Sequence, residues 1–203
     1  MKEFEIMNLS LLLIAALSFF SCSDDEPSSL DAMKNDLESL SGTYQDIEPY
    51  PYGDAFGQRV FTFDQGKWTL VFTLGLDPNL ENQVFQFRTY GAYNIVSASS
   101  IVENAFNAEF GEDAKLLTLK TDNPQLIEAF GFANCGLTPF EEKDISESGC
   151  SLWKPVQECP IDYDLLSLDS DGLLYFGQRP ADNDMCSADK RPTSLTPAVT
   201  KVQ

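Results

Sequence analysis

Between residues 58 and 95 apolar side chains recur at every second position: Phe61 and Phe63, then Trp68, Leu70, Phe72 and Leu74, then Phe85 and Phe87. A period of two belongs to extended backbone, because successive side chains leave a pleated strand on opposite faces. Asp64-Gln65-Gly66-Lys67 separates the first two runs with a glycine able to take positive φ. The pattern therefore predicts a hairpin there and a three-stranded antiparallel meander sharing one aromatic face. Upstream, Gly42-Thr43-Tyr44 begins a strand that Pro49 and Pro51 interrupt. Downstream, Tyr90-Gly91-Ala92-Tyr93 reads as a tight connection into a further strand over residues 93–96. Residues 105–110 and 116–119 read as the arms of a hairpin turning at Gly111-Glu112-Asp113, and residues 163–168 and 173–176 as a closing hairpin turning at Asp171-Gly172.

Two helices interrupt this series. Leu30, Met33, Leu37 and Leu40 fall at three- and four-residue intervals behind Ser28 and Ser29, the spacing of a short amphipathic helix that packs against one end of the β structure. Asn123 followed by Pro124 opens a second helix through Leu126, Ile127 and Phe130. Eight or nine short strands without an internal repeat predict a mostly β fold, an up-and-down β-barrel of about eight strands with one or two short helices, with a β-sandwich as the alternative. Gly42-x-Tyr44 at its start resembles the opening of lipocalin-like barrels, in which the aromatic closes the bottom.

The amino end changes where this barrel is expected to sit. Lys2 precedes an apolar run over residues 9–20 that is short for a membrane span, and Ser21-Cys22 follows it. A small residue and then cysteine at this place resembles the lipobox of bacterial lipoproteins. Phe20, Glu3 and Glu5 depart from the usual pattern, and Met7 is an alternative start. The expected organisation is a signal peptide over residues 1–21, lipid-modified Cys22 with an acidic linker over residues 22–29, and one barrel domain over residues 30–203. Ser23-Asp24-Asp25-Glu26 resembles the surface-export signal of some Gram-negative lipoproteins, so the predicted place is the outer membrane or cell surface. Cleavage removes one Lys and two Glu, taking the formal charge from −19 to −18. So acidic a body repels nucleic acid. Cys135, Cys150, Cys159 and Cys186 remain, an even number in an exported chain, and predict two disulfides in any of three connectivities. Their spacing lacks the close pair that a zinc site requires.

The candidate chemistry is narrow. The chain has no histidine, which excludes histidine-based triads and His-ligated metal sites. No glycine-rich phosphate loop occurs, no cofactor is implied, and Asp169 to Gly172 lacks the further oxygen ligands of a calcium loop. A pair of carboxylates hydrolysing a glycoside is conceivable, but so many acids make no pair distinctive, and the chain is read as a non-enzyme. What stands out is the aromatic set Phe61, Phe63, Phe72, Phe85, Phe87 and Tyr93, with Trp68 nearby. In an eight-stranded barrel such side chains either fill the interior or line a cavity for one hydrophobic small molecule or lipid. A filled barrel leaves the alternative of a surface module that binds a protein or glycan through its loops.

Arg59-Val60-Phe61-Thr62-Phe63 with Trp68, Phe85-Gln86-Phe87 with Gly91 and Tyr93, Leu174-Tyr175-Phe176-Gly177-Gln178-Arg179-Pro180 and Lys190-Arg191-Pro192 together resemble the adenomatosis polyposis coli down-regulated protein domain, found in animal Wnt inhibitors and in bacterial secreted proteins. The resemblance spans residues 41–200. It implies a lipocalin-like barrel that accommodates a lipid. The chain departs from it in having one such domain where animal members carry two, and in lacking a cysteine after Asp77-Pro78. Arg59, Arg88 and Arg179 either face a ligand carboxylate or pair with surface acids, and the acidic balance favours the second.

Overall fold

A computed structural model describes residues 29–202; the leader, Cys22 and the acidic run behind it lie outside the described residues. The meander forms as its alternation dictates. β3 (Ala55–Asp64) and β4 (Lys67–Gly75) pair in register from Phe56 opposite Gly75 to Asp64 opposite Lys67. Their two-residue turn has Gln65 and Gly66 both left-handed, at φ 48° and 76°, the geometry whose twist matches that of the flanking strands. β4 then pairs with β5 (Gln83–Ala98).

β1 (Gly42–Asp46) flanks β3 on its other side, and the short β2 (Tyr50–Tyr52) pairs with the start of β3. Beyond β5 come β6 (Phe106–Gly111), β7 (Ala114–Leu119), the helix α2 (Pro124–Ala129) and β8 (Glu142–Asp144). Last are β9 (Ile161–Leu168), β10 (Leu174–Phe176) and β11 (Val199–Lys201). Hydrogen bonding runs β1-β3-β4-β5-β6-β9-β10-β11 and back to β1, so eight antiparallel strands close a barrel. Apart from β2, β7 and β8 the circuit follows chain order, which is the up-and-down arrangement. Asn123 caps α2 as expected, its Oδ1 accepting the Gln125 N–H at 2.9 Å, with Pro124 in the first turn. Asp169 Oδ1 accepts the N–H groups of Asp171 and Leu173 and so builds the turn between β9 and β10.

Three details correct the sequence reading. β5 runs unbroken through Gly91, where a connection was expected. β6 and β7 are not a hairpin, because both run antiparallel to β5, β6 opposite Tyr93 to Ala98 and β7 opposite Phe85 to Tyr90. They are one long strand interrupted at Glu112 and Asp113, whose N–H groups bond Pro160 O and Tyr90 O. Gly-Glu-Asp has turn composition, yet here it makes a bulge that buries Glu112 and changes the strand's outer neighbour. β6 carries β9 and continues the barrel, whereas β7 carries β8 and diverges from it. Finally, the β9–β10 hairpin does not close the barrel; β11 does, three residues too short to show a period.

Two apolar clusters result. Tyr44, Phe61, Phe63, Trp68, Leu70, Tyr93, Phe110, Leu166 and Phe176 pack inside the closed circuit. One end of that interior is stoppered by α1 (Ser29–Glu38) and Leu40, with Leu37 fully buried and the Tyr93 hydroxyl donating to Leu37 O at 2.9 Å. At the other end Phe85, Phe87, Leu117, Phe132, Ile145 and Trp153 form the second cluster, where residues 120–160 fold back against β4, β5 and β7. Of the three connectivities the sequence leaves open, the chain takes Cys135–Cys150 within this insertion and Cys159–Cys186 at the start of β9.

A Cβ on Gly91 would lie 2.1 Å from Gly111 O, so the bulge exists only because β5 has a glycine opposite it. Gly91→Ala is expected to lower stability to denaturant by about 2 kcal/mol or more, as overpacking against backbone does. An unchanged denaturation midpoint would contradict the assigned register.

Candidate functional site

The alternation that sends Phe61 and Phe63 inward on β3 also sends Arg59 inward, and it does the same for Asp46 on β1, Thr89 on β5, and Asp162 and Asp164 on β9. Glu112, at the bulge, and Lys115, on β7, are buried as well. The barrel interior thus has an apolar half below, against α1, and a charged layer above. Charges taken out of water need partners.

Most find one in the layer. Arg59 Nη2 lies 2.5 Å from Asp46 Oδ1, and the same guanidinium donates to Thr196 Oγ1 at 2.6 Å and to Pro197 O at 2.8 Å. Lys115 Nζ sits 2.7 Å from Glu112 Oε2 and also donates to the carbonyls of Lys154 and Cys159. Arg179 Nη2 donates to Asp162 Oδ2 at 2.6 Å while its Nε donates to Asn183. Asp164 is different. Its Oδ1 accepts the N–H groups of Leu165 at 2.7 Å and Gly177 at 3.0 Å, but no cation lies within ion-pair distance of its carboxylate among the described residues. Gly177 permits that contact, since a Cβ there would meet Asp164 Oδ1 at 2.3 Å.

Burial pushes the Asp164 carboxyl up to about 6, against the opposing pull of Arg179 and the two backbone N–H groups. Burial, helped by the nearby Asp162, raises Glu112 to about 7 in spite of Lys115. Arg179 is held above its ordinary value: burial works to lower it, and Asp162 and Asp164 outweigh that.

Beside this layer the packing leaves a cavity of about 80 Å³, several times the room one water needs. Phe61, Trp68, Leu70, Phe110 and Phe176 form its floor, continuous with the packed interior. Tyr50, Tyr52, Phe72, Phe87 and Trp153 surround its upper part, and Arg59, Thr89, Asp162, Asp164, Arg179 and Thr196 form the polar wall. Of the aromatic positions singled out from sequence, Phe61, Phe72 and Phe87 line this space. Phe63 and Tyr93 lie deeper, packed against each other at a ring separation of 5.1 Å. Phe85 sits in the second cluster against Phe130, Phe132 and Trp153. Arg59 and Arg179 do pair with acids, but with buried ones, whereas Arg88 pairs with Glu142 on the outer surface.

The sequence reading did not single out Asp162 and Asp164. Their signal was the phase they share with Leu166 on β9, aspartates at period two in line with a core leucine. Glu112, Cys159 and Asp162 come within 4.8 Å of one another, but the Cys159 sulfur is bonded to Cys186 and both carboxylates are ion-paired, which makes a poor metal site. No protein-family model matches this sequence, and no curated protein matches it. The fold and the contents of the cavity therefore carry the functional reading.

A carboxyl whose folded pKa is raised holds its proton longer in the folded state, so its contribution to stability is complete below the unfolded value and is lost as pH rises through the folded one. For Asp164 that window runs from about 4 to about 6. Asp164→Asn keeps an acceptor for Leu165 and Gly177 and removes the titration. The natural protein is expected to lose stability relative to this variant between pH 4 and pH 7, by an amount on the order of 3 kcal/mol. Parallel stability curves in urea would contradict the assignment.

Proposed function

We propose that this chain is a lipid-anchored outer-membrane or cell-surface protein whose barrel holds a hydrophobic small molecule in the cavity above the Phe61, Trp68 and Phe176 floor. The observation that carries the ligand is the cavity itself. Interiors are close-packed, and space walled by nine aromatic side chains is space that the chain's own side chains leave unfilled. Its size favours a compact molecule over a long acyl chain. Burial of apolar area contributes about 25 cal/mol per Å², enough to hold such a ligand without extensive polar contacts.

Support for the anchor is arithmetical as well as local. Five cysteines occur in the chain, and the two disulfides consume four. Cys22, directly behind the apolar leader, is the one that remains.

One experiment addresses both parts. Native mass spectrometry of protein purified from the membranes of its own host is expected to show an acylated Cys22 and a non-covalent organic molecule that heat or solvent releases. Leu70→Trp, which fills the cavity floor, is expected to lose that molecule and keep the acyl group. A natural protein that carries nothing in its cavity would favour a surface module acting through its loops, and an unmodified Cys22 would remove the anchor.

A further inference from the structure

Four carboxylates are buried in the charged layer, at Asp46, Glu112, Asp162 and Asp164. Three of them have a cation within 2.7 Å, supplied by Arg59, Lys115 and Arg179. The fourth, Asp164, has a cation only at its backbone carbonyl, where Arg191 donates, and none within ion-pair distance of its carboxylate among the described residues. That residue is 5% exposed and lines the cavity, and the hydrogen bonds from Leu165 and Gly177 both fall on its Oδ1. An ionised carboxylate in such a place is costly unless something supplies the missing charge.

We propose that the ligand is a small organic amine, a monocation whose ammonium pairs with Asp164 Oδ2 and whose apolar body lies on the aromatic floor. This rests on the reading of the cavity as a ligand site. The chemistry of the remaining wall selects against the other classes. Of the two cations that line the cavity, Arg59 is bonded to Asp46, Thr196 and Pro197 and Arg179 to Asp162 and Asn183, so a ligand carboxylate competes with Asp162 for Arg179 and meets Asp164 beside it. A neutral alcohol satisfies one hydrogen bond and leaves the charge uncompensated. An ammonium supplies both. The field of the chain, at −18 once residues 1–21 are removed, draws cations towards the mouth and repels anions.

Three probes of one shape separate the classes: phenethylamine, 2-phenylethanol and 3-phenylpropionate, each titrated into the intact protein by calorimetry and followed by the fluorescence of Trp68 and Trp153. Phenethylamine is expected to bind at least tenfold more tightly than 2-phenylethanol, with 3-phenylpropionate weakest. Asp164→Asn is expected to bring the amine down to the level of the alcohol. If the alcohol binds as well as the amine in the natural protein, or the carboxylate binds best, the amine assignment is overturned and the ligand cavity stands. If none of the three binds and the native mass spectrum shows bare protein, both fall. Should Asp164→Asn fail to fold by near-ultraviolet circular dichroism, the ranking of the probes on the natural protein decides.

Discussion

A closed barrel of eight strands has one interior, and every inward-facing position on every strand opens into it. That shared space is the constraint from which the rest of this structure follows. Apolar inward residues fill it from the α1 end, where Phe63, Tyr93 and Leu166 meet. Charged inward residues are forced into one another's company at the other end, between neighbouring elements: Asp46 on β1 with Arg59 on β3, and Asp162 on β9 with Arg179 beyond β10. Removing either member of a buried pair of this kind costs about 3–5 kcal/mol, because it leaves the other uncompensated. The layer is therefore a fixed wall, and its single unpaired member is fixed with it.

The two ends of the barrel are built differently. The α1 end is sealed by side-chain packing and by the Tyr93 hydroxyl bonding the helix carbonyls of Leu37 and Glu38. The opposite end is framed by β2, by the insertion after β7, and by the chain between β10 and β11. Cys135–Cys150 braces the insertion, and Cys159–Cys186 ties the start of β9 to the last of these segments. Trp153 comes from the insertion and stacks on Phe87 at 4.7 Å, so the roof of the cavity belongs to a segment that the disulfide holds in place. Binding surfaces carried by loops on a rigid scaffold are a general arrangement. Here the scaffold also supplies the floor.

Much of the fold was legible in the chain, for a physical reason. Long strands with one buried face repeat their pattern often enough to be read, as Phe61, Phe63, Trp68, Leu70 and Phe87 do, and Gln65-Gly66 declares its own turn. The helix opened by Asn123 and Pro124 was equally plain. Failures came where local chemistry had two solutions. Gly111-Glu112-Asp113 has the composition of a turn, and only the distant partners Tyr90 and Pro160 make it a bulge. β11 has three residues and no period at all. The site was half legible: its aromatic floor follows from alternation, but which rings line space and which are packed solid depends on the insertion, whose docking no local pattern encodes. The acids of the wall were hidden among many others, since only the phase of Asp162 and Asp164 with Leu166 marks them as inward.

The central claim is that the buried carboxylate of Asp164 lines the cavity with no cation at ion-pair distance among the described residues. Carbon-13 NMR titration of its side-chain carboxyl measures this directly. The structure leads us to expect a midpoint near 6 in the free protein, moving down when phenethylamine is added. A midpoint at or below the ordinary value near 4, unchanged by the amine, would show the group already solvated or paired and would contradict the account.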